Sequence, residues 1–167
     1  AFPGWQSWAE TASRQKVEDY GRANPTHNWA VYCGASNIAV IDIDNKGEKK
    51  GSQALKILEV KFEALPETLT VATPSGGFHK YFVGNIKSTQ SELGPGLDTK
   101  SIGGYVVAPG SRIDDKTYEL YANEIKPLPA WISTAIPEVP PVVLQDNELV
   151  DVGDRNKILT SMAGTMR

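Results

Sequence analysis

The alternation of apolar and polar residues along the chain predicts both helices and strands. A helical pattern runs from Thr11 to about Asn24, where Thr11 or Ser13 would cap it and NPTHN would break it. The segment GSQALKILEVKFEAL is an amphipathic helix pattern that begins at Gly51 and stops at Pro66. A third, short helix is predicted for LPAWISTAI.

The other apolar runs predict strands arranged in hairpins. NWAVYCG and NIAVIDID form one predicted hairpin joined by GAS, and ETLTVAT and FHKYFV form a second one through the turn PSGG. GLDTK, GGYVVAPGS and KTYELY predict further short strands, whereas residues 85–96 read as irregular and polar. Because the strands form hairpins rather than a strict strand–helix–strand alternation, the pattern favours an α+β fold.

The pattern changes after residue 136, and this change divides the chain. Residues 1–136 carry the predicted strands and helices and form one predicted domain. Residues 137–152 have three prolines early and no clear period, so they are predicted to be a linker. Residues 153–167, which include DRNKILTSMAG, look like the start of a helix that the chain cuts short.

Composition narrows the class of protein. The hydrophobic fraction of 40% and the charged fraction of 22% are ordinary for a soluble globular protein, and no apolar run approaches the roughly 18 residues of a membrane helix. Cys33 is the only cysteine, which excludes an internal disulfide and suits a reducing, cytoplasmic location. The net charge of −3 gives no support to nucleic-acid binding, which would need a local basic surface.

Two aspartates one residue apart end the run NIAVIDID. On a strand, Asp42 and Asp44 point to the same face, while Ile41 and Ile43 point to the core. Two carboxylates this close raise each other's pKa unless a cation neutralises them, and such hard oxygen ligands suit Mg²⁺ or Mn²⁺. The alternative is a solvated strand end followed by the turn DNKG.

A glycine turn and a histidine make up the second stretch, TPSGGFHKYF. Ser75, Gly76 and Gly77 form a predicted tight turn whose backbone N–H groups can approach an anion closely. His79 follows on the outgoing strand and shares a face with Tyr81. It would therefore be placed to donate to a phosphate. The alternative is an ordinary hairpin turn with an exposed histidine.

The third stretch is GLDTKSIGGYVVAPGS. Asp98 follows an apolar residue, and Lys100 would share its face if the backbone is extended. Gly103 and Gly104 permit a close approach of the backbone, and Tyr105 offers a flat surface beside them. The alternative is a pair of strands interrupted by glycine.

Taken in order, these stretches resemble the three motifs of the primase-polymerase (prim-pol) domain. This is a branch of the archaeo-eukaryotic primase superfamily found in replication proteins of phages, plasmids and integrated elements. The resemblance runs from about Trp29 to Trp131 and includes the acidic pair, Gly77-Phe78-His79 and Leu97-Asp98. It implies an archaeo-eukaryotic primase-like catalytic core with an RRM-like mixed or antiparallel sheet and flanking helices. It also implies that residues 1–136 are the catalytic domain.

The resemblance also implies a reaction, a template-dependent DNA primase and polymerase that transfers a nucleotide to a 3′-hydroxyl. Asp42, Asp44 and Asp98 would be the catalytic carboxylates and would hold two Mg²⁺ or Mn²⁺ ions. His79 and Lys100 would contact the phosphates of the incoming nucleotide. The nucleotide would also lie near two glycine segments, namely Ser75, Gly76 and Gly77, and Gly103, Gly104 and Tyr105.

Relatives differ from this chain in two respects. They carry a glycine-lysine-proline region before the first tryptophans, so we expect an N-terminal segment to be missing here. Some hold zinc in an insertion, which one cysteine and two histidines cannot provide, so no zinc is expected. A helical primase domain and a helicase module often follow the catalytic core. The expected partners are therefore template and primer DNA, dNTPs or NTPs and those modules, with no membrane.

Two other functions stay open from the sequence alone. Metal-dependent glycosyltransferases also use Asp-x-Asp to hold the phosphates of a nucleotide sugar, although the chain is short for that class. A non-catalytic DNA-binding replication module could retain the same fold. The presence of all three motif aspartates argues against such a loss of activity.

Overall fold

The computed structural model describes residues 3–121 and 124–136, which form four helices and eleven short strands. The helices are α1 (Trp5–Thr11), α2 (Arg14–Ala23), α3 (Gly51–Lys61) and α4 (Ala130–Ala135). The strands are β1 (Ala30–Tyr32), β2 (Ile38–Ile43), β3 (Thr70–Ala72), β4 (Phe78–Val83), β5 (Thr89–Gly94), β6 (Leu97–Lys100), β7 (Tyr105–Val107), β8 (Arg112–Ile113), β9 (Lys116–Thr117), β10 (Glu119–Tyr121) and β11 (Lys126–Pro127). The predicted linker, 137–152, and the predicted helix start, 153–167, lie outside the described residues.

The strands that carry His79, Asp42 and Asp98 lie next to one another within the main sheet. Its order is β10-β3-β4-β2-β6-β5, with every neighbour antiparallel, and β11 adds a short parallel pairing to β4. Strand β2 is apolar at five of its six positions and pairs with β4 on one edge and β6 on the other. Helices together with a mainly antiparallel, mixed sheet confirm the predicted α+β class.

Different parts of the chain pack against the two faces of the main sheet. Ile41 and Ile43 are almost fully buried in a core that also contains Leu55 of α3 and Ile132 of α4. On the alternate positions, Val40 belongs to a second cluster that includes Val106 of the separate β1–β7 ribbon. The helices therefore cover one face, and the other face stays partly open beside the ribbon.

The first predicted hairpin is wrong. Strand β1 pairs with β7, with Ala30 opposite Val107, and not with β2. The GAS segment forms a 3₁₀ turn, and Asn37 follows it in the left-handed conformation with φ 52°, which redirects the chain into β2. Because β4 and β6 occupy both edges of β2, β1 has no edge there to pair with. The second predicted hairpin, β3–β4, is confirmed.

Several predicted boundaries also shift. Ser13 caps the first predicted helix by accepting a hydrogen bond from the Lys16 N–H at 3.2 Å, but α1 precedes it as a separate helix. Helix α3 ends at Lys61 rather than at Pro66. The stretch 85–96 contains β5, an edge strand with an irregular register to β6, and KTYELY divides into β9 and β10.

Backbone crowding fixes the end of β2. The Asp44 N–H donates to the Gly96 carbonyl at 2.8 Å, and the Gly51 N–H donates to the Asp44 carbonyl at 3.0 Å. A Cβ atom on Gly51 would lie 2.4 Å from the Gly96 oxygen. Glycine at position 51 thus allows the start of α3, the end of β2 and the β5–β6 turn to meet at Asp44.

Gly51→Ala is expected to lower the free energy of unfolding by about 1–3 kcal/mol, which is typical of overpacking. Alanine favours helix by about 1 kcal/mol over glycine, so a gain in stability would be the result if the backbone contact were unimportant. Urea unfolding measures the difference. Gln53→Ala, at an exposed position in the same helix turn, is the control that should not destabilise.

Candidate active site

A row of three polar residues crosses the centre of the sheet. Asp42 on β2 lies directly opposite His79 on β4 and directly opposite Asp98 on β6. Residues paired across antiparallel strands point to the same face, so the three side chains are neighbours. The His79 Nε2 atom lies 3.7 Å from Asp42 Oδ1. Three motifs that are far apart in sequence therefore meet in one row.

A cleft of about 570 Å³ opens over this row. Its floor includes Asp42, His79 and Lys100, and its walls come from the start of β5, the glycine turn before β7 and a tyrosine after β9. The lining residues are Asp42, His79, Ser88, Thr89, Gln90, Lys100, Gly103, Gly104, Tyr105, Val106, Val107 and Tyr118. The volume and the concentration of polar groups are suited to a small charged ligand.

Asp42 is the least neutralised of the three carboxylates. Burial raises its pKa to about 6, the positive charge of Lys100 opposes that rise, and the charges of Asp98 and Asp44 add to it. A carboxyl group in this state gains from a nearby cation, because a cation favours the ionised form.

The other two aspartates each have a lysine partner. Asp44 accepts hydrogen bonds from Lys49 Nζ at 2.7 Å and from the Lys46 N–H at 2.9 Å, and these bonds lower its pKa. Asp98 accepts from Lys100 Nζ at 3.0 Å and from the Ser91 N–H at 3.0 Å. Neither Asp44, directly after β2, nor Asp98, on β6, is among the residues that line the cleft.

His79 is buried and neutral. Burial, together with the positive charge of Lys100, lowers its pKa to about 4. Its Nδ1 atom finds no hydrogen-bond partner among the residues that the structure describes, and the same is true of the buried Tyr81 hydroxyl. A buried polar atom without a partner is costly, so His79 Nδ1 would gain from a bond to water or to a ligand. His79 lines the cleft, whereas Tyr81 is not among the lining residues. The alternative interpretation of this stretch was an ordinary hairpin turn with an exposed histidine, and the burial of His79 contradicts it.

The two predicted glycine segments lie in different places. Gly103, Gly104 and Tyr105 line the cleft, and the Tyr105 ring packs edge-on against Trp5 at 4.9 Å between centroids.

The turn before His79 lies elsewhere. Ser75 and Gly76 line a separate groove together with Lys116, outside the cleft. Gly77 has a packing role, because a Cβ atom there would lie 2.1 Å from the Ile43 carbonyl oxygen. A nucleotide-binding role for residues 75–77 therefore stays a prediction.

Six cleft residues were not predicted as site residues from the sequence: Ser88, Thr89, Gln90, Val106, Val107 and Tyr118. The first three lie at the start of β5, where the polar run STQSE shows no apolar alternation to indicate a strand. The two threonine hydroxyls of Thr89 and Thr99 lie 2.9 Å apart and tie β5 to β6. Tyr118 sits between β9 and β10, and its ring lies 5.8 Å from that of His79.

The three carboxylates are chemically suited to bind a divalent cation. Asp42, Asp44 and Asp98 offer hard oxygen atoms, and the charges of Asp98 and Asp44 add to the rise that burial causes in the pKa of Asp42. Within residues 3–121 and 124–136, no three acidic, histidine or cysteine side chains form a ready-made group of metal ligands. Lys49 and Lys100 each hold one of the carboxylates, Asp44 and Asp98 respectively, at hydrogen-bonding distance.

Comparison with known proteins gives one family. Residues 1–131 match the family model Prim-Pol, described as the N-terminal domain of bifunctional DNA primase/polymerase. The match ends in α4 and so covers nearly all of the described chain. A search of curated proteins returns no match. No helix in the described ranges has the length and apolar character needed to cross a membrane.

Asp42→Asn is expected to stabilise the metal-free protein at neutral pH. Folding raises the pKa of Asp42 to about 6 from 3.8, so the stability it contributes is complete below the lower value and is lost as the pH rises through the higher one. Asparagine has no charge to desolvate. The variant should gain on the order of 1–3 kcal/mol at neutral pH and nothing in acid, as measured by urea unfolding with a chelator.

Asp44→Asn serves as a control, because its effect on stability at neutral pH should have the opposite sign. The hydrogen bonds from Lys49 and Lys46 lower the pKa of Asp44, so its contribution is present at neutral pH and is lost as the pH falls through the folded-state pKa. This variant should be less stable than wild type at neutral pH and should approach it in acid. The same pH response in both variants would contradict the two environments described above.

Proposed function

Because the chain belongs to the Prim-Pol family, that of the N-terminal domain of bifunctional DNA primase/polymerase, we propose that it is a template-dependent nucleotidyltransferase. It would join a dNTP or NTP to the 3′-hydroxyl of a growing strand. The observation that carries the proposal is the row in which Asp42 lies opposite both His79 and Asp98, with Asp42 and His79 lining the cleft. Residues of three separate sequence motifs are therefore neighbours across three strands.

Asp42, Asp44 and Asp98 are the residues proposed to hold two Mg²⁺ or Mn²⁺ ions. When bound, these ions supply positive charge that stabilises the attacking and leaving oxygens of the transfer. The backbone contacts of Asp44 with Gly51 and Gly96 hold its carboxylate beside the end of β2. Carboxylates held in place by backbone contacts of this kind would support electrostatic catalysis, which requires preorganised charges.

His79 and Lys100 are proposed to bind the triphosphate. A neutral imidazole has one N–H donor, and the depressed pKa keeps His79 in that neutral form across the physiological range. Its donor would therefore be available without a change of protonation. Lys100 lies on the same face, two residues after Asp98, and would act as a point charge toward phosphate oxygens.

The glycine turn before β7 would accommodate the sugar and base. A Cβ atom on Gly104 would lie 2.5 Å from the Ser88 hydroxyl, so this backbone already touches the opposite wall of the cleft. Tyr105 follows and exposes its ring beside the turn. A flat ring at this position would support the base or the sugar of the nucleotide.

In a longer protein, this domain would act with the helical primase domain and helicase module that accompany such cores in the replication of mobile elements. Neither module lies in the described part of the chain. Template and primer DNA would be the macromolecular partners. The net charge of −3 means that DNA affinity would have to come from local contacts rather than from the overall charge.

The proposal is tested by primer extension. Wild-type protein with Mn²⁺ or Mg²⁺, a primed template and dNTPs is expected to lengthen the primer, and an Asp42→Ala, Asp44→Ala double variant is expected to show no extension. A Glu63→Ala, Glu67→Ala variant removes two exposed carboxylates elsewhere and should retain activity. Equal extension by all three proteins, or none by wild type, would refute the proposal. Turnover of a nucleotide sugar would favour a glycosyltransferase instead.

Lys100→Met is expected to lower kcat/KM for the dNTP by about 100-fold, because a preorganised charge facing the phosphates is lost. Lys100→Arg keeps the charge and should recover most of the activity. Steady-state primer extension with varied dNTP measures both. An arginine variant as inactive as the methionine variant would show that position 100 supports Asp98 through the lysine geometry and not the nucleotide through its charge.

A further inference from the structure

Lys49 lies in the loop 45–50, which leaves β2 at Asp44 and returns to it at Gly51. The turn is closed by the Lys49 N–H, which donates to the Lys46 carbonyl at 3.2 Å, and by the Gly51 N–H on the Asp44 carbonyl. This path brings Lys49 Nζ to 2.7 Å from Asp44 Oδ2. The ammonium group also interacts electrostatically with Asp98 and Asp42. One cation of the chain itself therefore acts on all three carboxylates.

Both oxygens of Asp44 are already hydrogen-bonded. Oδ1 accepts from the Lys46 N–H at 2.9 Å, and Oδ2 accepts from the Lys49 ammonium. A divalent cation that approaches Oδ2 is repelled by the Lys49 ammonium group, which is hydrogen-bonded to that oxygen. The Lys49 side chain is 53% exposed, so it can leave Asp44 for solvent without disturbing packed residues.

We propose that Lys49 is an internal counter-ion, which holds the carboxylate group in the metal-free protein and is displaced from Asp44 when a divalent cation binds. The inference rests on the proposed function in so far as the three aspartates hold the cation. The exchange has two consequences. Lys49 reduces repulsion among the carboxylates while the cation is absent, and it weakens cation binding, because its contact must first be broken.

Mn²⁺ binding to the whole chain without nucleotide or DNA tests the exchange. Lys49→Met is expected to bind Mn²⁺ about two- to fivefold more tightly than wild type, which is the range for breaking one exposed ion pair. Free Mn²⁺ is measured by electron paramagnetic resonance. Lys49→Arg retains the charge and should stay near the wild-type affinity.

Lys50→Met is the matched control, because it removes the same charge from the adjacent position. Lys50 is exposed and takes part in none of the ion pairs found in the described ranges. Its variant should tighten Mn²⁺ binding less than Lys49→Met does. Equal affinities for the two methionine variants, or weaker binding by Lys49→Met, would overturn the inference.

A stability measurement adds a second readout. Without divalent cation, Lys49→Met should have a lower Tm than wild type, and saturating Mn²⁺ should remove the difference. A Tm deficit of the same size with and without Mn²⁺ would indicate a merely structural lysine and would overturn the exchange.

The Asp42→Ala, Asp44→Ala variant separates the inference from the proposed function. Loss of Mn²⁺ binding in this variant, combined with equal affinities of Lys49→Met and Lys50→Met, would leave the aspartate assignment standing and reject only the exchange. Mn²⁺ binding that survives the double substitution would reject the aspartate assignment, and the exchange with it.

Discussion

Strand β2 has a neighbouring strand on each edge, and this constraint determines where the polar side chains of the candidate site can lie. Its register is fixed by β4 and β6, and its alternation directs Ile41 and Ile43 toward the helices and Asp42 toward the cleft. Burying one isoleucine side chain is worth about 1.5–3 kcal/mol, so a slip of one residue would lose that gain at Ile41 and Ile43 and bury charges instead. The hydrophobic core on one face thus positions the carboxylates on the other.

The three aspartates share one face but occupy three environments. Asp42 is half-buried beside a neutral histidine, Asp44 is held by a loop lysine, and Asp98 is held by a lysine on its own strand. Differences of this kind let neighbouring carboxylates keep separate roles despite having the same chemistry. These differences arise from where each aspartate lies and not from its own chemistry. Asp42 is within β2, Asp44 directly follows the end of β2, and Asp98 is on the neighbouring strand β6.

Local pattern was sufficient for the elements that surround the site. It predicted β2, the β3–β4 hairpin and the start of α3, and it assigned Ile41 and Ile43 to the core correctly. It failed where partners are distant in sequence, since nothing near Ala30 indicates that Val107 will pair with it. The cleft wall at Gln90 was also missed, because an edge strand facing solvent has no apolar alternation to reveal it.

Loop 45–50 is closed by a hydrogen bond between the residues at its two ends. The length of the loop can therefore change without a change in the geometry of the sheet. Because the Gly51 N–H bonds the Asp44 carbonyl directly, extra residues inserted between them would extend into solvent without pulling on β2. Doubling a flexible loop costs only about 0.6 kcal/mol in closure entropy. Insertions and changes of charge in this loop can therefore leave the geometry of the strand that carries Asp42 unchanged.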